Sequence, residues 1–207
     1  MSIHVRLRFT DTTFVNYEEK IKEIEGILKN WSLRNLTIAG KITVIKSLAL
    51  PILVQVLTVL PNPPHHIIHK IECLCFSFIW NDKRDKIKRS TLKNNYENGG
   101  LKMTDIECFI NSLKLTWVKK LLDPRNTSSW KLLLLDDIER YGNFNILVYN
   151  KYDMTKIVRN LNSFWRDVFL AWSNPNREEN TAEYYLSQPV WFNSNIKIGN
   201  EVVYYQL

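Results

Sequence analysis

Apolar residues recur at helical spacing along much of the chain. In the first such segment, from about Asn16 to Trp31, apolar side chains fall three or four positions apart with charged residues between them. Residues at this spacing share one face of a helix, so the pattern predicts an amphipathic helix. The same pattern predicts further helices over 37–50, 64–80, 104–121, 130–138 and 164–172.

Prolines and capping residues set the limits of these helices. Thr37 can cap the second helix, and Pro51 should kink or break it, because proline lacks the N–H and clashes with the preceding turn. The apolar run 52–60 fits a helical piece or a buried strand, and we favour the helix. Pro64 can occupy the first turn of the next helix. The segment 104–107 predicts a capping box, in which threonine and glutamate satisfy each other's backbone N–H groups.

The C-terminal segment differs from the rest in its pattern. Residues 196–204 alternate between apolar and polar on both sides of Gly199-Asn200, which predicts a small β-hairpin. The predicted fold class is therefore all-α, mostly helical, with a small β-hairpin near the C-terminus. We expect more than half of the chain to be helical, against about one third in an average protein. Two domains are predicted, a basic helical domain over 1–122 and a helical region over 123–207 that ends in the hairpin.

Positive charge is concentrated in the first part of the chain. Residues 1–121 contain 19 Lys or Arg and 11 Asp or Glu, whereas residues 122–207 contain 9 and 10. Such asymmetry suggests a polyanionic partner for the first part only, and the alternative is a basic surface that keeps the protein in solution.

Cysteine usage and hydropathy bear on location. The three cysteines have no framework spacing and no signal peptide precedes them, which favours a reducing compartment. We therefore expect an intracellular protein, nuclear or cytoplasmic, that is not secreted. The longest apolar stretch, 42–60, is interrupted by Lys46, Pro51 and Gln55. A membrane span needs about 20 mostly apolar residues, so no membrane partner is expected.

Six short segments together resemble one protein family. They are WSLRNLTIAGKITVIKSLALP at 31–51, PNPP at 61–64, FSFIWN at 76–81, ENGGLKMTDIE at 97–107, FWRDVFLAW at 164–172 and SQPVWFNSNIKIGN at 187–200. In this order and spacing they resemble the region just downstream of the polymerase palm in reverse transcriptases of LINE-type (non-LTR) retrotransposons. The resemblance extends from about Phe14 to the end of the sequence.

The resemblance implies a thumb, which packs on the template–primer duplex, and part of the helical region that follows it. The palm, whose paired aspartates hold two metal ions for phosphoryl transfer, has no counterpart here. Asp136-Asp137 superficially resembles that pair, but it lies downstream of the 31–51 motif rather than upstream, and late in a predicted helix. We therefore expect a non-catalytic fragment of an RNA-directed DNA polymerase, with no catalytic residue, cofactor or bound metal.

A basic connector is the main candidate for nucleic-acid contacts. Residues 82–93 contain six basic and two acidic residues, and adjacent cations in an extended loop can contact successive phosphates. A second set lies in and beside the 31–51 motif, to which the thumb role is carried over directly for Arg34 and Lys41. The predicted nucleic-acid-binding residues are Arg34, Lys41, Lys46, Lys83, Arg84, Lys86, Lys88, Arg89 and Lys93.

Two other groups of residues, the histidines near Cys73 and the tryptophans, are better explained by exposure or core packing than by a binding site. His65, His69 and Cys73 are four residues apart and could share a helix face, but a closed zinc site needs four ligands. We favour exposed histidines and a core cysteine there. Among the tryptophans, positions 31, 80, 117 and 165 lie on apolar stripes and are predicted to pack in the core, and only Trp191 is left open as a base-stacking residue.

Three functions remain open on the sequence. The first is sequence-independent binding of an RNA or DNA duplex or hybrid. The second is a helical protein-interaction module, whose apolar faces need a palm domain or another chain to cover them. The third is an unselected remnant of a degraded element. Nucleic-acid binding should depend steeply on salt, whereas docking of helix faces should not.

Overall fold

The structure, a computed structural model, describes residues 9–139, 159, 161–173, 197–198 and 201–202. Helices account for 74% of the part of the chain that the structure describes, so the all-α prediction is confirmed for that part. The chain divides into two compact units, residues 1–113 and residues 114–207. The domain boundary predicted after residue 122 stays a prediction.

Two helices and a bent one form the core of the first unit. The two helices are α1, Phe9–Ser32, and α4, His65–Trp80. The bent one begins as α2, Ile38–Val44, continues through a π-helical segment, Ile45–Ala49, and ends as α3, Pro51–Val59. Helix α1 packs against α3 and α4, and α2 packs against α4. The core between them includes Tyr17, Ile21, Ile24, Ile42, Ile45, Leu53, Leu57, Ile71, Cys75 and Phe76. The amphipathic spacing of the sequence thus places its apolar faces inside one shared core.

The bend before α3 follows the sequence closely. The Thr37 hydroxyl accepts a hydrogen bond from the Gly40 N–H over 3.2 Å, as an N-cap should. The segments Ile38–Ala49 and Pro51–Val59 meet at 44°. Pro51 is the first residue of α3, where its missing N–H costs nothing. The kink at Pro51 and the helical interpretation of 52–60 are both confirmed.

Length and apolar character decide whether any of the described helices could span a membrane. No single one of them is long and apolar enough to cross a bilayer, and only the bent pair Ile38–Ala49 and Pro51–Val59 reaches that length and apolar character when its two parts are taken together. Both parts of the pair contribute residues to the core of the first unit.

A connector that contains two short turns of helix follows α4. Pro64 is the N-cap of α4 rather than a residue of its first turn, and Asn81 ends the helix in a left-handed conformation. The connector holds α5, Arg89–Lys93, and a 3₁₀ turn, Tyr96–Asn98. The backbone N–H groups of Leu101 and Met103 both donate to the Leu92 carbonyl, over 3.1 and 2.9 Å. These bonds and the buried Leu92 and Met103 side chains fix the connector to the core.

The next helix is α6, Ile106–Leu122. Its N-terminus differs from the predicted capping box. Its N-terminal cap is Asp105, whose carboxylate accepts a hydrogen bond from the Cys108 N–H over 3.0 Å. Thr104 was the predicted cap, and the helix begins one residue later than that box requires. Aspartate is as good an N-cap as serine or threonine, and here an ion pair with Lys93, at 2.6 Å, also fixes its carboxylate.

The second unit is built around aromatic side chains. Its described helices are the end of α6 from Lys114, then α7, Ser129–Glu139, and α8, Ser163–Ser173. The last two are close to their predicted limits. Trp117, Trp130, Phe164, Trp165 and Phe169, here called the aromatic cluster, pack ring against ring at centroid distances from 5.2 to 6.2 Å. Strands β1, Lys197–Ile198, and β2, Glu201–Val202, pair antiparallel. The predicted turn of this hairpin, 199–200, lies outside the described residues.

Candidate nucleic-acid interface

The end of α4 turns sharply into the loop of residues 82–88, here called the basic loop. Asn81 and Asp82 both have left-handed backbones, with φ of 52° and 58°. The Asp82 N–H donates to the Ser77 carbonyl over 2.9 Å, which is the long-range bond of a Schellman-type helix end. The Ser77 hydroxyl also donates to the Asp82 carboxylate. The first acidic residue of the basic loop is therefore occupied in ending the helix.

Lys41 holds this helix end from inside the unit. Its side chain is buried, with 4% of its surface exposed. The ammonium group donates to the carbonyls of Phe78, over 2.8 Å, and Ile79, over 3.1 Å, and to the Asn81 side-chain oxygen. Phe78 and Ile79 lie in the last turn of the helix, where carbonyls lack the usual i→i+4 partner; the Phe78 carbonyl also accepts from the Asn81 N–H over 3.5 Å. Burial lowers the pKa of Lys41, although the nearby charge of Asp82 acts in the opposite direction.

This geometry changes the role assigned to Lys41. The sequence predicted a phosphate contact, by carry-over from the 31–51 motif. In the structure all three ammonium N–H groups point at acceptors at the end of α4, so none remains for a phosphate. Lys41 is instead a positioning residue that fixes where the basic loop begins.

Arg89 anchors the far end of the basic loop. Its guanidinium pairs with Asp85 at 2.8 Å and lies over the Phe76 ring, 4.6 Å from its centroid. The hydrogen bond to Asp85 raises the pKa of Arg89. The second acidic residue of the loop is thus also occupied, and Arg89 is only partly available to a ligand.

Four cations between these anchors carry no internal partner. Lys83, Arg84, Lys86 and Lys88 are exposed, and within the described residues none of them makes an ion pair or a side-chain hydrogen bond. Because Asp82 and Asp85 are engaged elsewhere, they do not form ion pairs with these four side chains. The basic loop therefore presents its positive charge to solvent from a backbone that is fixed at both ends.

Lys93, also predicted to contact nucleic acid, is an internal ion-pair partner. Its ammonium group lies 2.7 Å from Glu72 and 2.6 Å from Asp105. Burial acts to lower the pKa of Lys93, but the bonds to Asp105 and Glu72 outweigh it and the pKa is raised. Two carboxylates surround one ammonium group here, so the local charge does not favour a phosphate. The pair of bonds ties α5 to α4 and to the start of α6.

The remaining two predicted cations lie in different places. Arg34 is exposed, with its guanidinium 4.4 Å from the centroid of the Trp31 ring. The end of α1 at Ser32 lines the same groove as Ser77 and Asp82, so Arg34 follows α1 at the end of the unit where the basic loop begins. Lys46 lies elsewhere, because its ammonium group donates to the Lys102 carbonyl over 2.8 Å.

The sequence interpretation missed one aromatic residue and one cation on the connector. Tyr96 exposes 66% of its surface, and the Lys102 ammonium lies 5.1 Å from the centroid of its ring. The sequence interpretation assigned a base-stacking role to no aromatic residue other than a tryptophan. Trp80 is buried, Trp31, Trp117 and Trp165 are partly buried, and Trp191 lies outside the described residues. A tyrosine between polar residues, in the sequence NNYENGG, was the available signal.

The predicted metal and catalytic candidates have these positions. Asp136 and Asp137 lie within α7, late in the helix as expected. His69 and Cys73 do meet, with the thiol 3.6 Å from the imidazole Nδ1. No three His, Cys, Asp or Glu side chains among the described residues group as metal ligands.

No model of a known protein family matches the chain.

Proposed function

We propose that the first unit binds nucleic acid through its sugar–phosphate backbone, without sequence preference. The observation that carries this proposal is the set of four exposed, unpaired cations on the basic loop. Each lysine or arginine that contacts a phosphate adds to the affinity for nucleic acid. Such contacts hold a duplex without selecting its sequence.

The fixed ends of the loop support the same proposal. A loop that is ordered before binding loses less conformational entropy when it meets its partner. Lys41 holds one end and the Asp85–Arg89 pair holds the other. We therefore restrict the proposed phosphate surface to Lys83, Arg84, Lys86 and Lys88, with Arg34 beside them and Arg89 in a secondary role.

The resemblance to LINE-type reverse transcriptases gives this surface a biological setting. In that family the thumb packs on the template–primer duplex, so the partner we propose is an RNA or DNA duplex or hybrid. We also propose that the chain is not itself an enzyme, because the family's polymerase chemistry depends on paired aspartates of the palm. The intracellular location inferred from the free cysteines belongs to the same proposal.

The test is the salt dependence of binding to a blunt duplex of mixed sequence, measured by fluorescence anisotropy. Each phosphate contact contributes a slope of about 0.9 on a log–log plot for duplex DNA. Changing Lys86 and Lys88 to alanine should lower the slope by up to roughly 1.8 and weaken unrelated sequences equally. The matched control removes two exposed cations elsewhere, Lys22 and Lys119, and should leave the slope unchanged.

Two outcomes would remove this proposal. An unchanged slope in the Lys86/Lys88 variant would make the basic loop a solvated connector. An equal loss in the Lys22/Lys119 control would mean that net charge, and not this loop, sets the binding.

A second candidate function has one specific observation behind it. Leu132 and Leu133 are neighbours on α7, and they expose 68% and 73% of their surfaces. Contiguous exposed apolar surface marks sites of protein interaction. Changing both to serine should abolish an interaction with a protein partner and leave the salt slope on duplex DNA unaltered.

A further inference from the structure

The turn that carries Tyr96 presents an aromatic ring from a rigid backbone. The N–H groups of Gly99 and Gly100 donate to the carbonyls of Tyr96 and Asn95, each over 3.0 Å, and the Lys102 N–H donates to the Asn94 carbonyl over 2.9 Å. These bonds close residues 94–102 into one compact turn, here called the tyrosine turn. The Tyr96 side chain extends from it with two thirds of its surface in solvent.

Both glycines of the tyrosine turn are required by its geometry. Gly99 has a φ of 71°, in the left-handed region that favours glycine. At Gly100 a Cβ would lie 2.1 Å from the Asn94 carbonyl oxygen, where no side chain fits. The ring of Tyr96 is therefore held by a backbone with little freedom, which reduces the entropy lost when a ligand contacts it.

Two ammonium groups accompany the ring. The Lys102 Nζ lies 5.1 Å from the ring centroid, within the range of a cation–π contact. The Lys46 Nζ donates to the Lys102 carbonyl over 2.8 Å, so it lies beside the same turn. A flat ring with cations next to it is the combination that binds a nucleotide, with the base on the ring and the phosphates on the cations.

The tyrosine turn lies close to the basic loop along the connector. Only α5, of five residues, separates the two, and a helix of that length is about 7.5 Å long. Phosphates follow one another every 3.4 Å or so along the axis of each strand of a duplex. The length of α5 thus corresponds to about two nucleotides of one strand.

We propose that Tyr96 stacks on an unpaired base, and that Lys46 and Lys102 bind the phosphates beside it. The proposal rests on the proposed function of the basic loop and names its substrate more closely: a nucleic acid with a single-stranded segment next to the phosphates that the loop holds. Inside a duplex the faces of the bases are covered by their neighbours, so only an unpaired base offers its face to the ring.

Three probes separate this inference from the function on which it rests. They are oligothymidylate, a blunt duplex of mixed sequence, and the same duplex with a thymidylate overhang, each tested against the full chain. Tyr96→Ala should weaken binding of oligothymidylate and of the overhang duplex by between about 5-fold and about 150-fold, since stacking on an aromatic side chain contributes that much per base. The blunt duplex should bind as before. Tyr96→Trp should retain or strengthen single-strand binding.

The controls guard against trivial explanations. Val59→Ala removes apolar atoms at another exposed position, 47% exposed, and should change none of the three affinities. Tyr96→Leu keeps an apolar side chain without a π face and should behave like Tyr96→Ala. Thermal unfolding followed by circular dichroism should be the same for every variant, because exposed substitutions shift stability by about 0.5 kcal/mol or less.

Each alternative result has a defined meaning. Unchanged oligothymidylate binding by Tyr96→Ala, together with weaker binding by the Lys86/Lys88 variant, overturns the stacking and keeps the function of the basic loop. An equal loss on all three probes, or full binding by Tyr96→Leu, also overturns the stacking. A wild-type chain that binds none of the probes overturns both proposals.

Discussion

Among the described residues, each unit of the protein buries one lysine, and the surroundings of the two lysines differ. Lys41 in the first unit is 4% exposed and gives its three N–H groups to oxygen acceptors at the end of α4. Lys114 in the second unit is fully buried, and its ammonium group lies 4.5 Å from the centroid of the Phe164 ring. An ammonium group has a strong hydration shell, and burial removes it in both places.

The two sites show what replaces that hydration shell. Around Lys41, two carbonyls of the last turn of α4 and the Asn81 side-chain oxygen accept the N–H groups, so the ammonium group exchanges its water for protein acceptors. Around Lys114, the contacts include a cation–π contact with the Phe164 ring. Burial lowers the pKa of Lys114 to about 8, although the charge of Asp167 on α8 acts to raise it. Burial therefore acts against the charged form of both lysines, and the larger shift in pKa, to about 8, is the one at Lys114.

The largest effect is expected from removing the ammonium group of Lys41. Lys41→Met should lower the free energy of unfolding by roughly 3 to 5 kcal/mol, because buried acceptors lose a charged donor. Urea unfolding measures this loss. Limited trypsin cleavage should also become faster at Lys83 and Arg84, since the start of the basic loop is no longer fixed. A Lys41→Met variant as stable as the wild type would show that the end of α4 does not depend on this side chain.

The next largest effect is a pH dependence at Lys114. Its pKa in the folded state is about 8 and its ordinary value is 10.5. Below pH 8 both states bind the proton and the cost of burial is present in full. Between these two pH values only the unfolded chain binds the proton, so the free energy of unfolding rises with pH, by up to about 3 kcal/mol.

The measurement compares the wild type with Lys114→Met across this pH range. The variant should be the more stable protein below pH 8, and the difference should vanish above pH 10.5. The two proteins are compared because a second group also changes stability in this pH range. Burial raises the pKa of Cys75 to about 12, and a thiol held protonated makes the folded state less stable as pH rises above 9. This effect is the same in both proteins and cancels in the difference. A constant difference at every pH would exclude titration of Lys114 as the cause.

A smaller effect is expected at Asp105, where an ion pair and a helix cap share one carboxylate. Burial would raise the pKa of Asp105, but hydrogen bonds from Lys93 and from the Cys108 N–H outweigh it, and the net pKa is lowered. The stabilisation is present above the ordinary pKa of 3.8 and is lost as pH falls through the folded value. Asp105→Ala should cost about 1.5 kcal/mol, since cap and ion pair are both lost.

Asp105→Asn separates the two contributions. Asparagine retains the cap and loses the ion pair, so it should cost about 0.5 kcal/mol in this partly exposed site. Thermal unfolding near neutral pH measures both variants. If asparagine and alanine cost the same, the cap contributes nothing to α6.

The smallest effect on stability is expected at the exposed cations. Changing Lys86 and Lys88 to alanine should shift the free energy of unfolding by about 0.5 kcal/mol or less, because neither side chain has an internal partner. The same substitutions are expected to change nucleic-acid binding, which is the reverse of the pattern at Lys41. A large loss of stability in this variant would mean that the basic loop contributes to the core.

The local features of the fold followed from the sequence, whereas the roles of individual cations did not. Thr37, Pro51 and the helical spacing act over a few residues, so the pattern carries them directly. Lys41 is different, because its burial depends on the end of α4, which the chain reaches about 40 residues later. Lys93 is likewise placed by two carboxylates that are distant in sequence. A basic residue in a motif and a basic residue in a loop look alike until their neighbours in space are known.

The π-helical segment Ile45–Ala49 sets how this protein can tolerate insertions and deletions. Its wide turn, closed by the Leu50 N–H donating to the Ile45 carbonyl over 2.9 Å, determines the rotation at which α3 starts. Each residue of a helix turns the chain by about 100°. A π turn holds one residue more than an α turn, so deleting one residue from the segment would leave α3 close to its present rotation. A deletion that could not be absorbed in this way would bring Val54 and Thr58 to the places of Leu53 and Leu57. The basic loop has no such register, so the chain can gain or lose residues there and keep its core.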